Sequence, residues 1–83
     1  MTPTERRTFA IHVYDDVETI DIGATFGVLS MARRIVPGIR AFLVAERAGN
    51  IRAANGLCFT ADYDYANCPA ADALIVTGAG LEQ

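Results

Sequence analysis

The sequence predicts an α/β fold on a mostly parallel sheet, of which 83 residues supply only a part. Three observations lead there. Residues 9–14 (FAIHVY), 41–45 (AFLVA) and 73–77 (ALIVT) are short, nearly continuous apolar runs, the pattern of strands covered on both faces. Between the first two, the apolar period changes to that of a helix. The order strand, helix, strand, hairpin, strand is that of crossover-linked parallel strands.

Each element has a local reason. Residues 1–8 are polar and read as a loose lead-in, and Asp15-Asp16 breaks the first strand. From Thr19, the residues Ile22, Phe26, Leu29 and Ile35 or Val36 recur at helical spacing, with Pro37-Gly38 as the stop. Gly23 and Gly27 each cost a helix about 1 kcal/mol relative to Ala, which points to close approach of the helix backbone to the sheet. A membrane GxxxG reading fails because the segment carries Asp21, Arg33 and Arg34. The turns Gly49-Asn50 and Asn55-Gly56 bracket two short runs, 51–54 and 57–60, that read as a hairpin or paired edge strands. Residues 62–72, punctuated by Pro69, read as a connecting loop or short helix, and the last strand runs into Gly78-Ala79-Gly80. One helix covers one face of the three strands and nothing in the sequence covers the other. The expectation is a single partial domain over residues 1–83, needing further polypeptide or a partner.

Composition narrows the function classes. At 52% hydrophobic and 20% charged, the chain has ample apolar surface to collapse. No apolar run reaches the roughly 18 residues of a membrane span, and the first ten residues lack a signal-peptide core, so a cytoplasmic protein without membrane association is expected. The net charge is −3, all seven basic residues are Arg, and none lies beyond Arg52. Direct nucleic-acid binding is not expected from two Arg pairs, Arg6-Arg7 and Arg33-Arg34. Cys58 and Cys68 lack zinc-site spacing and read as reduced, packed or half-packed thiols. Neither a cofactor nor a metal is implied.

In open parallel sheets, ligands bind beyond the carboxyl ends of the strands where strand order reverses. If the last strand pairs with the first, two loops meet there. One carries Asp15, Asp16, Glu18 and Asp21; the other is the glycine turn, whose N–H groups could face an anion or oxyanion. Each feature also has a plainer reading. Asp15 and Asp16 suit a solvated turn, and Asp21 suits a helix cap or first-turn acid. His12, mid-strand and without a second His, suits a core or sheet-face position. The glycine turn matches neither dinucleotide nor P-loop pattern, and no G-x-S-x-G motif, Cys–His dyad or metal-ligand cluster is present.

The string HVYDDVETIDIGATFGVLS, followed by NGLCFTADYDYANCPAADALIVTGAG, resembles the opening of the ThiJ/PfpI family of the class I glutamine amidotransferase-like superfamily. Isonitrile hydratases and the amidase-like domains of AraC-type regulators look most similar. Ile20-Asp21-Ile22 matches the family's leucine/aspartate/leucine-like triplet, Val28-Leu29 the helix pair, and Gly56-Leu57 the later strand. The run 72–78 (DALIVTG) matches the acidic strand end before the glycine turn. The likeness covers residues 9 to 80 and rests on the order and spacing of degenerate motifs.

That resemblance implies a flavodoxin-like three-layer sandwich with a reactive cysteine on an elbow downstream of the glycine turn. It casts Asp21 as the acid or proton relay, Gly78 as a substrate-binding position and the backbone N–H of Ala79 as the oxyanion donor. The implied chemistry is that of a lyase: hydration of an isocyanide to an N-substituted formamide. Thr77 and Ala79 depart from the family's proline and second glycine, and Ala24-Thr25 replaces a Gly-Pro. Neither Cys58 nor Cys68 matches the nucleophile. The expectations are therefore an N-terminal part inactive by itself, a ligand-sensing or interaction domain as in AraC-type regulators, or a truncated remnant. Its expected partners are a small-molecule ligand once completed, and either further copies in a homo-oligomer or a complementing segment.

Overall fold

The computed structural model describes residues 6–78. Strand β1 (Arg7–His12) leads through a loop into helix α1 (Thr19–Ala32), then β2 (Ile39–Ala45). An antiparallel hairpin of β3 (Gly49–Arg52) and β4 (Cys58–Ala61) follows, then the short β5 (Tyr63–Asp64) and finally β6 (Ala73–Val76). The main sheet has the order β5-β2-β1-β6, and every pairing in it is parallel. The last strand does pair with the first, Phe9 to His12 against Ala73 to Val76. The α/β expectation with a parallel sheet holds.

Alternation along the strands divides the interior in two. Ile11, Val13, Leu43 and Ala45 join Ile51 and Ala61 of the hairpin in one buried cluster, with Ile22 and Leu29 of α1 packed against it. Ala10, Phe42 and Val44 point to the opposite side, where, among the described residues, Tyr63 and Cys68 pack on them. The Phe42 and Tyr63 rings meet edge to face at 5.0 Å. Beyond this small cluster the second face lies open: Leu74 is 62% exposed and Val76 68%.

Several expectations need correction. Residues 7 and 8 are not loose; they belong to β1, where Arg7 N–H donates to Gly38 O at 3.1 Å and Thr8 N–H to the Asp72 carboxylate at 2.7 Å. The helix ends at Ala32 rather than at the Pro37-Gly38 stop, because residues 33–36 already turn back through hydrogen bonds to Leu29, Met31 and Ala32. Of the two candidates for the last position of the apolar stripe, Ile35 is 85% exposed and Val36 is half-buried. Nor do Gly23 and Gly27 serve close packing: a Cβ built on either meets nothing within 4 Å. The region read as loop or short helix holds β5, recruited because Asp62 N–H bonds Leu43 O and the Asp62 carboxylate accepts Leu43 N–H. Cys58 is exposed rather than packed, and Cys68 is half-buried.

The helix is apolar around its circumference yet contains no buried residue; Ile20, Val28 and Met31 all face outward. A helix of this kind is normally covered on more than one side. Two outcomes are expected. Ile11→Ala, at a side chain with no exposure, should lower stability by about 2–5 kcal/mol in denaturant unfolding. The purified chain should bind a hydrophobic dye or self-associate through its open apolar surface, whereas a dye-silent monomer would contradict this.

Candidate functional site

The carboxyl ends of β1 and β6 adjoin, and the loop 13–18 is wedged between them and the hairpin. Val13 and Val17 have no exposed surface and act as its anchors. Asp16 adopts φ +70°, one of two non-glycine residues with positive φ among those described, so the loop turns sharply before the helix begins. On the hairpin side, the Asp15 carboxylate accepts Arg52 N–H at 3.0 Å and Asp16 N–H donates to Arg52 O at 2.7 Å. Ala54 N–H donates to Val17 O, and the Thr19 hydroxyl donates to Ala54 O. Asp15, read as a solvated turn acid, is thus also a strut to β3.

On the β6 side, the same loop grips the glycine turn. The Thr77 hydroxyl, buried, donates to His12 O at 2.7 Å, and Tyr14 Oη donates to Thr77 O at 2.8 Å. Glu18 N–H donates to Gly78 O at 2.9 Å, and Gly78 N–H donates to Asp21 Oδ2, also at 2.9 Å. A Cβ on Gly78 would stand 2.8 Å from that same oxygen, so a side chain there would push the carboxylate off its bond to the Gly78 amide. Thr77 is therefore a structural fastener: its hydroxyl closes a bond to the first strand.

Asp21 lies in the first turn of α1. Glu18 occupies the helix N-cap without a side-chain cap bond, so Asp21 is not the cap residue. Its Oδ2 accepts the Gly78 amide hydrogen, and Oδ1 has no hydrogen-bond partner among the described residues. Gly78, the expected substrate-binding position, has both its N–H and its C=O in internal bonds. Ala79, the expected oxyanion donor, lies outside the described residues.

The other candidates are dispersed. His12 is on the open sheet face, where Nε2 and Tyr65 Oη are 2.6 Å apart and the ring lies beside those of Tyr14 and Tyr65. Cys58 is on the hairpin, 4.0 Å from an Arg52 guanidinium nitrogen, and Cys68 packs with the second apolar cluster. Among the described residues no group of His, Cys, Asp or Glu is placed to hold a metal, and no helix is long and apolar enough to cross a membrane. Tyr14 and Thr77 were missed as site residues because each acts through a partner more than sixty positions away.

A DJ-1 superfamily protein, Atu0886 from Agrobacterium tumefaciens, superposes with a TM-score of 0.67 at 21% identity, covering 88% of this chain and 38% of that one. The fold is a partial flavodoxin-like sandwich of the DJ-1 kind. An AraC family transcriptional regulator from Pseudomonas putida superposes with a TM-score of 0.76 at 16% identity, covering 93% of this chain and 49% of the regulator. The chain thus spans less than half the length of either structure. No family model and no curated protein sequence matches it. Within this DJ-1-type fold, the Asp21–Gly78 contact stands beyond the carboxyl edge of the sheet, where β6 joins β1.

Two substitutions test the clasp. Thr77→Val leaves His12 O without its partner and should cost about 1–3 kcal/mol in denaturant unfolding. Gly78→Ala should destabilise through the clash with Asp21 Oδ2, and less so in an Asp21→Ala background. Coupling of about 0.5–3 kcal/mol in the double-mutant cycle is the expected reading, and strict additivity would contradict the contact.

Proposed function

We propose that these residues form the acid-bearing half of a ThiJ-type site whose nucleophile lies on further polypeptide, with isocyanide hydration as the chemistry. The observation that carries the reading is the Asp21–Gly78 contact, which anchors Oδ2 of a carboxyl group on the Gly78 amide and leaves Oδ1 unbonded among the described residues. Hydration of an isocyanide requires a proton to reach the terminal carbon as a nucleophile adds there. Water supplies the oxygen of the product formamide, and the nitrogen keeps its substituent and gains a hydrogen. A carboxyl group anchored to backbone through one oxygen is suited to deliver that proton in a fixed direction. In the same reading, the Ala79 N–H stabilises charge at the reacting centre and Gly78 shapes its floor. The open sheet face and the exposed apolar positions of α1 support a complementing segment or a further copy as the missing cover.

A ligand-sensing domain without turnover is the second reading, favoured by the likeness to an AraC family regulator over 93% of the chain. One experiment separates the two. Polypeptide carrying these residues with their complement is given an alkyl isocyanide, and formamide formation is followed. Turnover that falls at least about a hundredfold in Asp21→Asn, with the fold intact, is the enzyme's signature. Saturable binding without formamide is that of a sensor, and wild-type turnover in Asp21→Asn would reduce Asp21 to a structural clasp.

A further inference from the structure

The opposite end of the sheet carries a second feature, distinct from the carboxyl edge. Where α1 finishes and β2 begins, an open furrow of about 650 Å³ runs between them. Its helix wall is formed by Phe26, Leu29, Ser30 and Arg33, residues spaced three and four apart and therefore on one side of the helix. Ile39 and Ala41 of β2, with Pro37, complete an apolar floor. Three guanidinium groups, those of Arg33, Arg34 and Arg40, rim it, and among the described residues no Asp or Glu lines it. This is an unbalanced concentration of positive charge in a chain of net charge −3.

Arg40 is held in place, its Nη1 donating to Pro37 O at 3.0 Å and Ile39 O at 3.1 Å. The side chains of Arg33 and Arg34 make no hydrogen bond or ion pair among the described residues. A cation near the helix C-terminus is favoured by the helix dipole, but that accounts for a single charge and not for the apolar floor beneath it. An apolar trough with cations along its lip is complementary to a molecule with an apolar body and an anionic end. The last turn of α1 places partial negative charge on its carbonyl groups beside the same furrow. This disfavours a doubly charged phosphate relative to a singly charged carboxylate.

We propose that this furrow binds a small apolar carboxylate, its chain on Phe26, Leu29, Ile39 and Ala41 and its carboxylate among Arg33, Arg34 and Arg40. The test is calorimetric titration of the 83-residue chain with decanoate. Saturable binding is expected, weakened at least about tenfold in an Arg33→Gln/Arg34→Gln variant, by high salt, and with decanol as the uncharged probe. Ser30→Trp fills the trough while keeping every charge and should weaken binding equally, whereas Leu74→Asp, on the opposite sheet face, should leave it unchanged. Both arginine positions are exposed, so that variant is expected to keep the circular dichroism of the parent. Binding that survives the arginine and Ser30 substitutions, or that is lost in Leu74→Asp, overturns the proposal. So does preference for decyl phosphate, an acidic peptide or anionic lipid vesicles over decanoate.

Discussion

The fold hinges on the loop between β1 and α1, which is bonded to two other parts of the chain at once. Its backbone and Asp15 hold the segment Arg52 to Ala54 on one side, while Tyr14, Glu18 and Asp21 hold Thr77 and Gly78 on the other. Val13 and Val17, without exposed surface, keep those polar groups in position. Because these bonds are short and those of Tyr14, Thr19 and Thr77 are partly buried, the loop has little freedom to shift without breaking several at once. The candidate site inherits its geometry from this constraint. Asp21 faces the glycine turn because helix α1 starts where the clasped loop delivers it, and β6 lies beside β1 because Thr77 is tied to His12.

Charge and apolar surface are distributed unevenly around this frame. Acids collect on the loop following β1, at the carboxyl edge of the sheet, and arginines gather where α1 meets β2 at the amino edge. One sheet face is covered by α1 and the hairpin, while the other holds only a small cluster around Phe42. The two ends therefore offer different chemistry, a carboxyl group above a glycine turn and a cationic rim above an apolar floor. They share β1, β2 and α1 as a common rigid support.

Much of the fold was legible in the sequence, and the exceptions have physical causes. The three apolar runs became the three main strands because continuous apolar residues have few alternatives to a buried strand. Tyr63 and Asp64 read as loop because two residues carry no period; β5 exists because Asp62 reaches Leu43 from outside. Gly23 and Gly27 read as packing contacts, yet the helix turns them toward open space, since helix phase is set by Ile22 and Leu29 meeting the core. Arg33 and Arg34 read as a pair, and their grouping with Arg40 emerged only once β2 returned beneath the helix end.

Local chain chemistry determined where the segments begin and end, and which acids and glycines stand near the sheet's carboxyl edge, because periodicity and turn preference act over a few residues. The tertiary structure decided which oxygen of Asp21 is engaged, that Thr77 is a fastener and that a cationic furrow exists. Those features depend on contacts between residues far apart along the chain, such as the 57 positions separating Asp21 from Gly78. Such contacts have no period of their own and exist only once parallel pairing has brought the strand ends together.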